Sequence, residues 1–157
     1  MQILTSRGAD LFKERIANTE RLLKETQSKK GRAAKVGGDD WHDNFTFEQL
    51  EREEQMLGQE LKRLREILYV SQVIDQEQIN SQPKDEVRIG STVTIEYEDG
   101  KTSIFSISGH GESSPEIGII AYDTPIGKSI MRKKVGDTGV FRTEKTEIHV
   151  TIKNIAW

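Results

Sequence analysis

Two helical stripes separated by a turn constrain the fold of this chain more than any other feature. The first stripe has spacings of four, three and four residues and comprises Phe12, Ile16, Thr19 and Leu23. The second alternates steps of three and four, with one doubled step, and comprises Leu50, Leu57, Leu61, Leu64 and Leu68. Residues 5–75 contain no proline, and Gly37-Gly38 lets the chain reverse between the stripes. Since such stripes bury themselves against each other, the sequence predicts an antiparallel coiled-coil hairpin with arms of roughly 45 Å.

The second half of the chain has the pattern of a small sheet. Val93, Ile95 and Tyr97 alternate with polar residues, and Asp99-Gly100 predicts a hairpin turn after them. Thr124-Pro125 is typical of a capped helix start. The predicted fold class is therefore α+β. Its predicted parts are a hairpin over 1–76 with its tip at 38–44, a linker over 77–83, and a β-sheet domain with a short helix over 84–157.

Charge and residue usage exclude several classes of protein. A formal net charge of −3 argues against a general nucleic-acid coat, which needs a dominant basic surface. The absence of cysteine excludes disulfides and thiolate metal sites. No apolar run approaches the roughly 20 residues that span a bilayer. We therefore expect a cytoplasmic protein with no membrane partner.

The hairpin turn carries an unusual group of carboxylates. Asp39, Asp40 and Asp43 lie within five residues, although like charges this close repel one another. One interpretation is that Asp40, Asp43 or Asn44 caps the second helix. The other is an incomplete site for Mg²⁺, which prefers oxygen ligands and which a second macromolecule would complete. His42 raises a third interpretation, a zinc site shared with the aspartates.

A basic cluster precedes the turn and comprises Lys29, Lys30, Arg32 and Lys35. Most charge runs are simply solvated helix surface. Next to an acidic tip, however, this cluster could instead hold a phosphate backbone while the carboxylates bind the metal.

These features together resemble the GreA/GreB family of bacterial transcript cleavage factors. The strongest likeness lies in the segment Thr124 to Ile130 followed by Lys134 to Asp137, and the strand around Ile89 to Thr94 is similar too. The tip segment Gly38 to Phe47 is similar to the family motif G-D-L-S-E-N-A-E-Y, with Asn44 as the anchor. In that alignment Asp40 and Asp43 fall on the two acidic positions of the family.

The resemblance implies a fold and a mechanism. It implies a C-terminal domain like the FK506-binding proteins, which docks on RNA polymerase, and a hairpin that enters the secondary channel. There, Asp40 and Asp43 would complete a Mg²⁺ site with the polymerase, whose own active site then hydrolyses the 3′ end of backtracked nascent RNA. The chain would be a monomeric accessory factor rather than an enzyme. The expected docking residues are Ile126, Gly127, Lys133 and Lys134.

Two departures from the family motif leave alternatives open. The second acidic position usually holds glutamate, and Asp43 is shorter by one methylene; His42 replaces a small serine. Asp39 is a substitute carboxylate if the register shifts by one. A channel-occupying regulator that does not stimulate cleavage is therefore one alternative. A prolyl isomerase or chaperone module is another, and a hairpin that only dimerises or scaffolds is a third.

Overall fold

Residues 2–36, 45–144 and 146–157 are described by a computed structural model, and the chain divides into two units. One unit is the helical segment Ala9–Ser71. The other combines the segment that ends at Gly8 with Gln72–Trp157.

Two long helices form the first unit. Helix α1 spans Ser6–Val36 and helix α2 spans Phe45–Val70, with 31 and 26 residues. By sequence either Thr5 or Ser6 could cap α1, and the Thr5 hydroxyl accepts a hydrogen bond from the Gly8 backbone N–H at 3.0 Å, so Thr5 is the N-cap.

Polar bonds between the helices establish their direction. Arg65 on α2 contacts Glu20 on α1 at 2.6 Å, and Glu54 on α2 contacts Lys30 on α1 at 2.7 Å. Residue numbers rise along one helix as they fall along the other, so the helices are antiparallel. The predicted hairpin is confirmed.

The two predicted stripes supply the buried side of the hairpin. Phe12 and Thr19 are buried on α1, and Leu61 and Leu64 are buried on α2. Thr26, three residues beyond the predicted first stripe, is also buried. The apolar seam therefore continues toward the end of α1 through a hydroxyl-bearing side chain.

The boundary between the units differs from the predicted one. A short strand β1 (Ile3–Thr5) pairs in parallel with β2 (Gln72–Ile74), so both ends of the hairpin belong to the second unit. Residues Gln76–Asn80 form helix α3, in which Asp75 and Gln78 make a reciprocal capping box. Most of the expected linker 77–83 is therefore structured.

The second unit is built on a five-stranded sheet. Its strands are β3 (Thr92–Tyr97), β4 (Thr102–Ser108), β5 (Ile119–Ala121), β6 (Thr138–Arg142) and β7 (Glu147–Ala156). Their spatial order is β5-β4-β3-β7-β6, and adjacent strands are antiparallel except β4 and β5, which are parallel. A 3₁₀ turn over Pro115–Ile117 precedes β5, and helix α4 spans Pro125–Ile130.

One face of this sheet forms the core. Val93 and Ile95 on β3 are fully buried, while their neighbours Thr92 and Thr94 are only partly buried. This alternation is the one that the sequence predicts. The remaining buried core side chains are Val87, Ile89, Ile107, Ile120, Ile130, Val150 and Ile152. The α+β fold class is confirmed.

Glu112 ties the loop before β5 to the start of α1. Its carboxylate accepts hydrogen bonds from the Thr5 backbone N–H at 2.9 Å, the Thr5 hydroxyl at 2.7 Å and the Ser108 hydroxyl at 2.6 Å. Gly8 and Gly109 both lie against this carboxylate, where an added Cβ would come within 2.0 and 2.2 Å of it. We call Thr5, Gly8, Ser108, Gly109 and Glu112 the Glu112 joint.

Candidate functional site at the end of the hairpin

The ends of the two helices bracket the acidic segment of the sequence. Helix α1 ends at Val36 and α2 begins at Phe45. The predicted metal ligands Asp39, Asp40 and Asp43, together with His42, lie outside the described residues. The magnesium and zinc interpretations therefore stay predictions.

Three of the four predicted phosphate-binding residues are exposed on the last two turns of α1. They are Lys29, Arg32 and Lys35. Within the described ranges 2–36, 45–144 and 146–157, none of the three has an ion pair. Their ammonium and guanidinium groups face water, which leaves them available to an anionic partner.

Lys30 differs from the other three basic residues because it binds the opposite helix. Its Nζ lies 2.7 Å from Glu54 Oε2 and 3.7 Å from Glu51 Oε1, and 5.4 Å from the centroid of the Phe47 ring. The hydrogen bond with Glu54 raises the pKa of Lys30, and the same bond lowers the pKa of Glu54. Lys30 is thus a cross-arm contact in this structure, and its role as an RNA contact stays a prediction.

The predicted docking residues are largely occupied by structural roles. Gly127 is buried, and a Cβ there would lie 2.4 Å from the Ala121 carbonyl oxygen. Packing therefore explains the glycine at this position, and its part in docking stays a prediction. Ile126 is partly buried against the core.

The two lysines of the predicted dock also have partners in the second unit. Lys133 donates to the Thr138 carbonyl at 2.6 Å, and Lys134 lies 2.6 Å from Asp85. The Lys134–Asp85 hydrogen bond lowers the pKa of Asp85 and raises that of Lys134. Both lysine heads remain near the surface, so their part in docking stays a prediction.

The aromatic residues of the second unit do not suggest a prolyl isomerase pocket. Tyr97, Phe105, Tyr122 and Phe141 pack against the apolar core. The indole of Trp157 donates to the Lys84 carbonyl at 3.1 Å. An isomerase site needs aromatic side chains that line an open pocket, and these four serve the core instead.

Neither a metal-binding cluster nor a membrane-spanning helix occurs in the described part of the chain. Residues 2–36, 45–144 and 146–157 hold no group of three or more histidine or acidic side chains arranged to bind a metal. None of the helices in those ranges is both long and apolar enough to cross a bilayer.

Sequence comparison identifies the family. Residues 82–156 match the family model "Transcription elongation factor, GreA/GreB, C-term". The transcription elongation factor GreA of Chloroflexus aggregans is 30% identical over 124 residues, which cover 78% of this chain and 76% of that protein. GreA of Bacillus licheniformis is 27% identical over 154 residues, 98% of this chain and 95% of that one.

A solved structure gives a weaker likeness. GreA factor homolog 1 of Thermus thermophilus is 19% identical, with 99% of each chain covered and a TM-score of 0.44. Both values are too low for this likeness to bear on function.

An antiparallel helical hairpin joined to a small sheet domain, with this sequence similarity, defines a protein of the transcription elongation factor class. The chain belongs to the GreA/GreB family.

Proposed function

We propose that this chain binds RNA polymerase and stimulates hydrolysis of backtracked nascent RNA by the polymerase active site. The observation that carries the proposal is the antiparallel hairpin. The sequence segment that joins its two long helices contains three aspartates. Membership of the GreA/GreB family supports the same function.

The length and stiffness of the hairpin would allow it to carry charged side chains into a narrow channel of the polymerase. Its two helices have 31 and 26 residues, so the arms extend on the order of 40 Å from their base. Paired helices resist bending better than a loop of the same length because each arm buries its apolar side against the other. Lys29, Arg32 and Lys35 then present three cations to the RNA backbone on the turns that precede the aspartates.

The aspartates give the proposed chemistry. Asp40 and Asp43 would hold Mg²⁺ together with carboxylates of the polymerase, because a few carboxylates on one turn cannot complete an octahedral site. When bound, that ion would stabilise charge on the reacting phosphate and activate a water. The factor itself needs only to position two carboxylates and to orient the RNA 3′ end.

Cleavage of 3′-labelled RNA in a backtracked elongation complex tests the proposal. Polymerase is assayed with Mg²⁺ alone, with the wild-type chain, and with the Asp40→Ala/Asp43→Ala variant. An Asp10→Ala/Asp99→Ala variant is the charge-matched control, since both of its sites are exposed and distant in sequence from the tip. We expect stimulation by the wild type and by the control, and its loss in the tip variant.

Two other outcomes separate the alternatives. A chain that binds polymerase without stimulating cleavage would be the channel-occupying regulator. A chain that does not bind polymerase would refute the proposed function.

The length of the second carboxylate provides a further test. If Asp43 occupies the family's glutamate position, Asp43→Glu extends its reach by one methylene and should raise the cleavage rate. Misplacement by about 1 Å at a reacting centre costs on the order of 100-fold in rate. A fall in rate with Asp43→Glu would show instead that the loop is built around the shorter side chain.

A further inference from the structure

Four side chains link the two arms of the hairpin shortly before its end. Gln27 and Lys30 on α1 both hydrogen-bond the carboxylate of Glu54 on α2, at 3.0 and 2.7 Å. The Lys30 ammonium also lies over the ring of Phe47, 5.4 Å from its centroid. We call Gln27, Lys30, Phe47 and Glu54 the Lys30 clamp.

The clamp differs in its degree of burial from the cross-arm ion pair of Arg65 and Glu20. The side chains of Lys30 and Glu54 are 25% and 26% exposed, whereas those of Arg65 and Glu20 are 58% and 39% exposed. Water and salt screen the Lys30–Glu54 pair less for this reason. Glu54 also uses both oxygens, one for each partner on α1, which fixes its orientation as a single ion pair does not.

Small residues leave little apolar packing beside the clamp. Gly31 and Ala34 on α1 line an open groove of about 280 Å³ together with the four clamp residues. Among the described residues, and apart from the neighbouring residues and nearby backbone of α1 itself, no atom lies within 4 Å of the position that a Cβ on Gly31 would take. At the clamp, polar contacts therefore hold the two arms together. Around Leu61 and Leu64, which are buried, apolar packing holds them together instead.

The clamp also lies close to the acidic segment. Lys30 precedes the end of α1 by six residues, or roughly 9 Å of helix, and Phe47 is the third residue of α2. The separation of the arms at the clamp therefore bears on the separation of the helix ends at Val36 and Phe45.

We propose that Lys30 and Glu54 are positioning residues, which set the separation of the arm ends and so the placement of the tip carboxylates against the reacting phosphate. This inference rests on the proposed function and assigns Lys30 a role distinct from that of Lys29, Arg32 and Lys35. Those three cations would contact RNA, while Lys30 would act through Glu54.

A double-mutant cycle on RNA cleavage separates positioning from direct RNA contact. The variants are Lys30→Gln, Glu54→Gln and the two combined, with Lys30→Arg as the conservative substitution. If the clamp positions the tip, each single change should lower the cleavage rate about 10-fold, since an error well under 1 Å suffices for that. The combined variant should be no slower than either single one, Lys30→Arg should retain most of the rate, and affinity for polymerase should be unchanged.

Direct RNA contact by Lys30 predicts the opposite pattern. Glu54→Gln would then free the ammonium for phosphate and leave cleavage equal to wild type or faster. That result would overturn the proposal.

A distance measurement on the free protein provides a readout that is independent of cleavage. The chain has no cysteine, so spin labels can be attached at Lys35→Cys and Gln49→Cys, one on each arm on the tip side of the Lys30–Glu54 contact. We expect Glu54→Gln to broaden the distance distribution between the labels. Glu20→Gln, which breaks the Arg65 pair far from the tip, is the matched control and should leave the distribution unchanged.

The two assays distinguish failure of the clamp from failure of the proposed function. A wild-type chain that does not stimulate cleavage refutes the proposed function, and the distance measurement then decides on the clamp alone. Equal distributions in wild type and Glu54→Gln would overturn the clamp, whatever the cleavage assay shows.

Discussion

Loss of the Glu112 carboxylate should destabilise the second unit more than loss of any exposed acidic side chain. Three hydrogen bonds converge on this carboxylate, two from Thr5 and one from Ser108. The first turn of α1 contains no acidic residue, so Glu112 supplies the negative charge that a helix N-terminus favours.

The magnitude follows from these contacts. Hydrogen bonds to a charged group contribute about 1.5–3 kcal/mol each, and a carboxylate at a helix N-terminus adds about 0.3–1 kcal/mol. Simple addition overstates the loss, because the Glu112 side chain is only partly buried and water replaces some of these bonds. We expect Glu112→Ala to lower the free energy of unfolding by about 2–4 kcal/mol. Glu112→Gln keeps the size and one carbonyl oxygen, so it should lose about 1–2 kcal/mol.

Urea unfolding followed by tryptophan fluorescence measures this loss. A Trp41→Phe background leaves Trp157, which belongs to the second unit, as the single tryptophan. Glu116→Ala is the matched control, since it removes an exposed glutamate from the same loop. A loss below about 0.5 kcal/mol in Glu112→Ala, equal to that of an ordinary surface change, would refute the reasoning.

Three further predictions concern the second unit. Gly127→Ala should lower the unfolding free energy by about 1–3 kcal/mol, because its Cβ meets the Ala121 carbonyl at 2.4 Å, and thermal unfolding will detect the loss. Thr124→Ala removes the side chain that caps α4 through the Gly127 N–H and should cost about 1 kcal/mol in the same measurement, whereas Thr124→Ser should cost little. The pKa of Asp85 is lowered by its hydrogen bond to Lys134, so this pair stabilises the fold above the ordinary aspartate pKa and loses that effect as the pH falls through the lowered one. An NMR titration should find the Asp85 midpoint below the usual aspartate range, and Lys134→Gln should return it there; an unchanged midpoint would contradict the pairing.

Local patterns in the sequence predict the elements of this fold well. The Thr5 cap, the alternation of Val93 and Ile95, and the Thr124-Pro125 helix start depend on neighbours within a few residues, and the structure has all three. Such features need no knowledge of the rest of the chain.

Local sequence patterns do not predict features that depend on contacts between distant parts of the chain. The β1–β2 pair joins two segments of three residues, too short to show an alternating pattern, across the whole hairpin. Glu112 binds Thr5 over a separation of 107 residues, and nothing in its own neighbourhood distinguishes it from Glu116. The prediction that Gly127 belongs to a contact surface depends on the family resemblance of its segment. The structure gives another reason for a glycine at this position, because the Ala121 carbonyl oxygen leaves no room for a side chain.

The Lys30 clamp is an intermediate case. Lys30 and Glu54 lie at equal distances in sequence on either side of residue 42, within the predicted turn. Pairing opposite charges symmetrically about the turn would identify their contact from the sequence alone. The Lys30–Glu54 pair is more buried than the Arg65–Glu20 pair. This difference depends on how the two arms pack, and the spacing of charges in the sequence does not determine that packing.

The pairing of β1 with β2 makes the hairpin an insertion with a closed base. The chain leaves the sheet unit after Gly8 and returns at Gln72, and Leu4 and Val73 are register partners in the strand pair that closes this gap. Removing one heptad from each helix at matching positions would therefore shorten the arm while leaving both strands, the Glu112 joint and the sheet as they are. Arm length is thus a variable that evolution or design can change separately from the body of the protein.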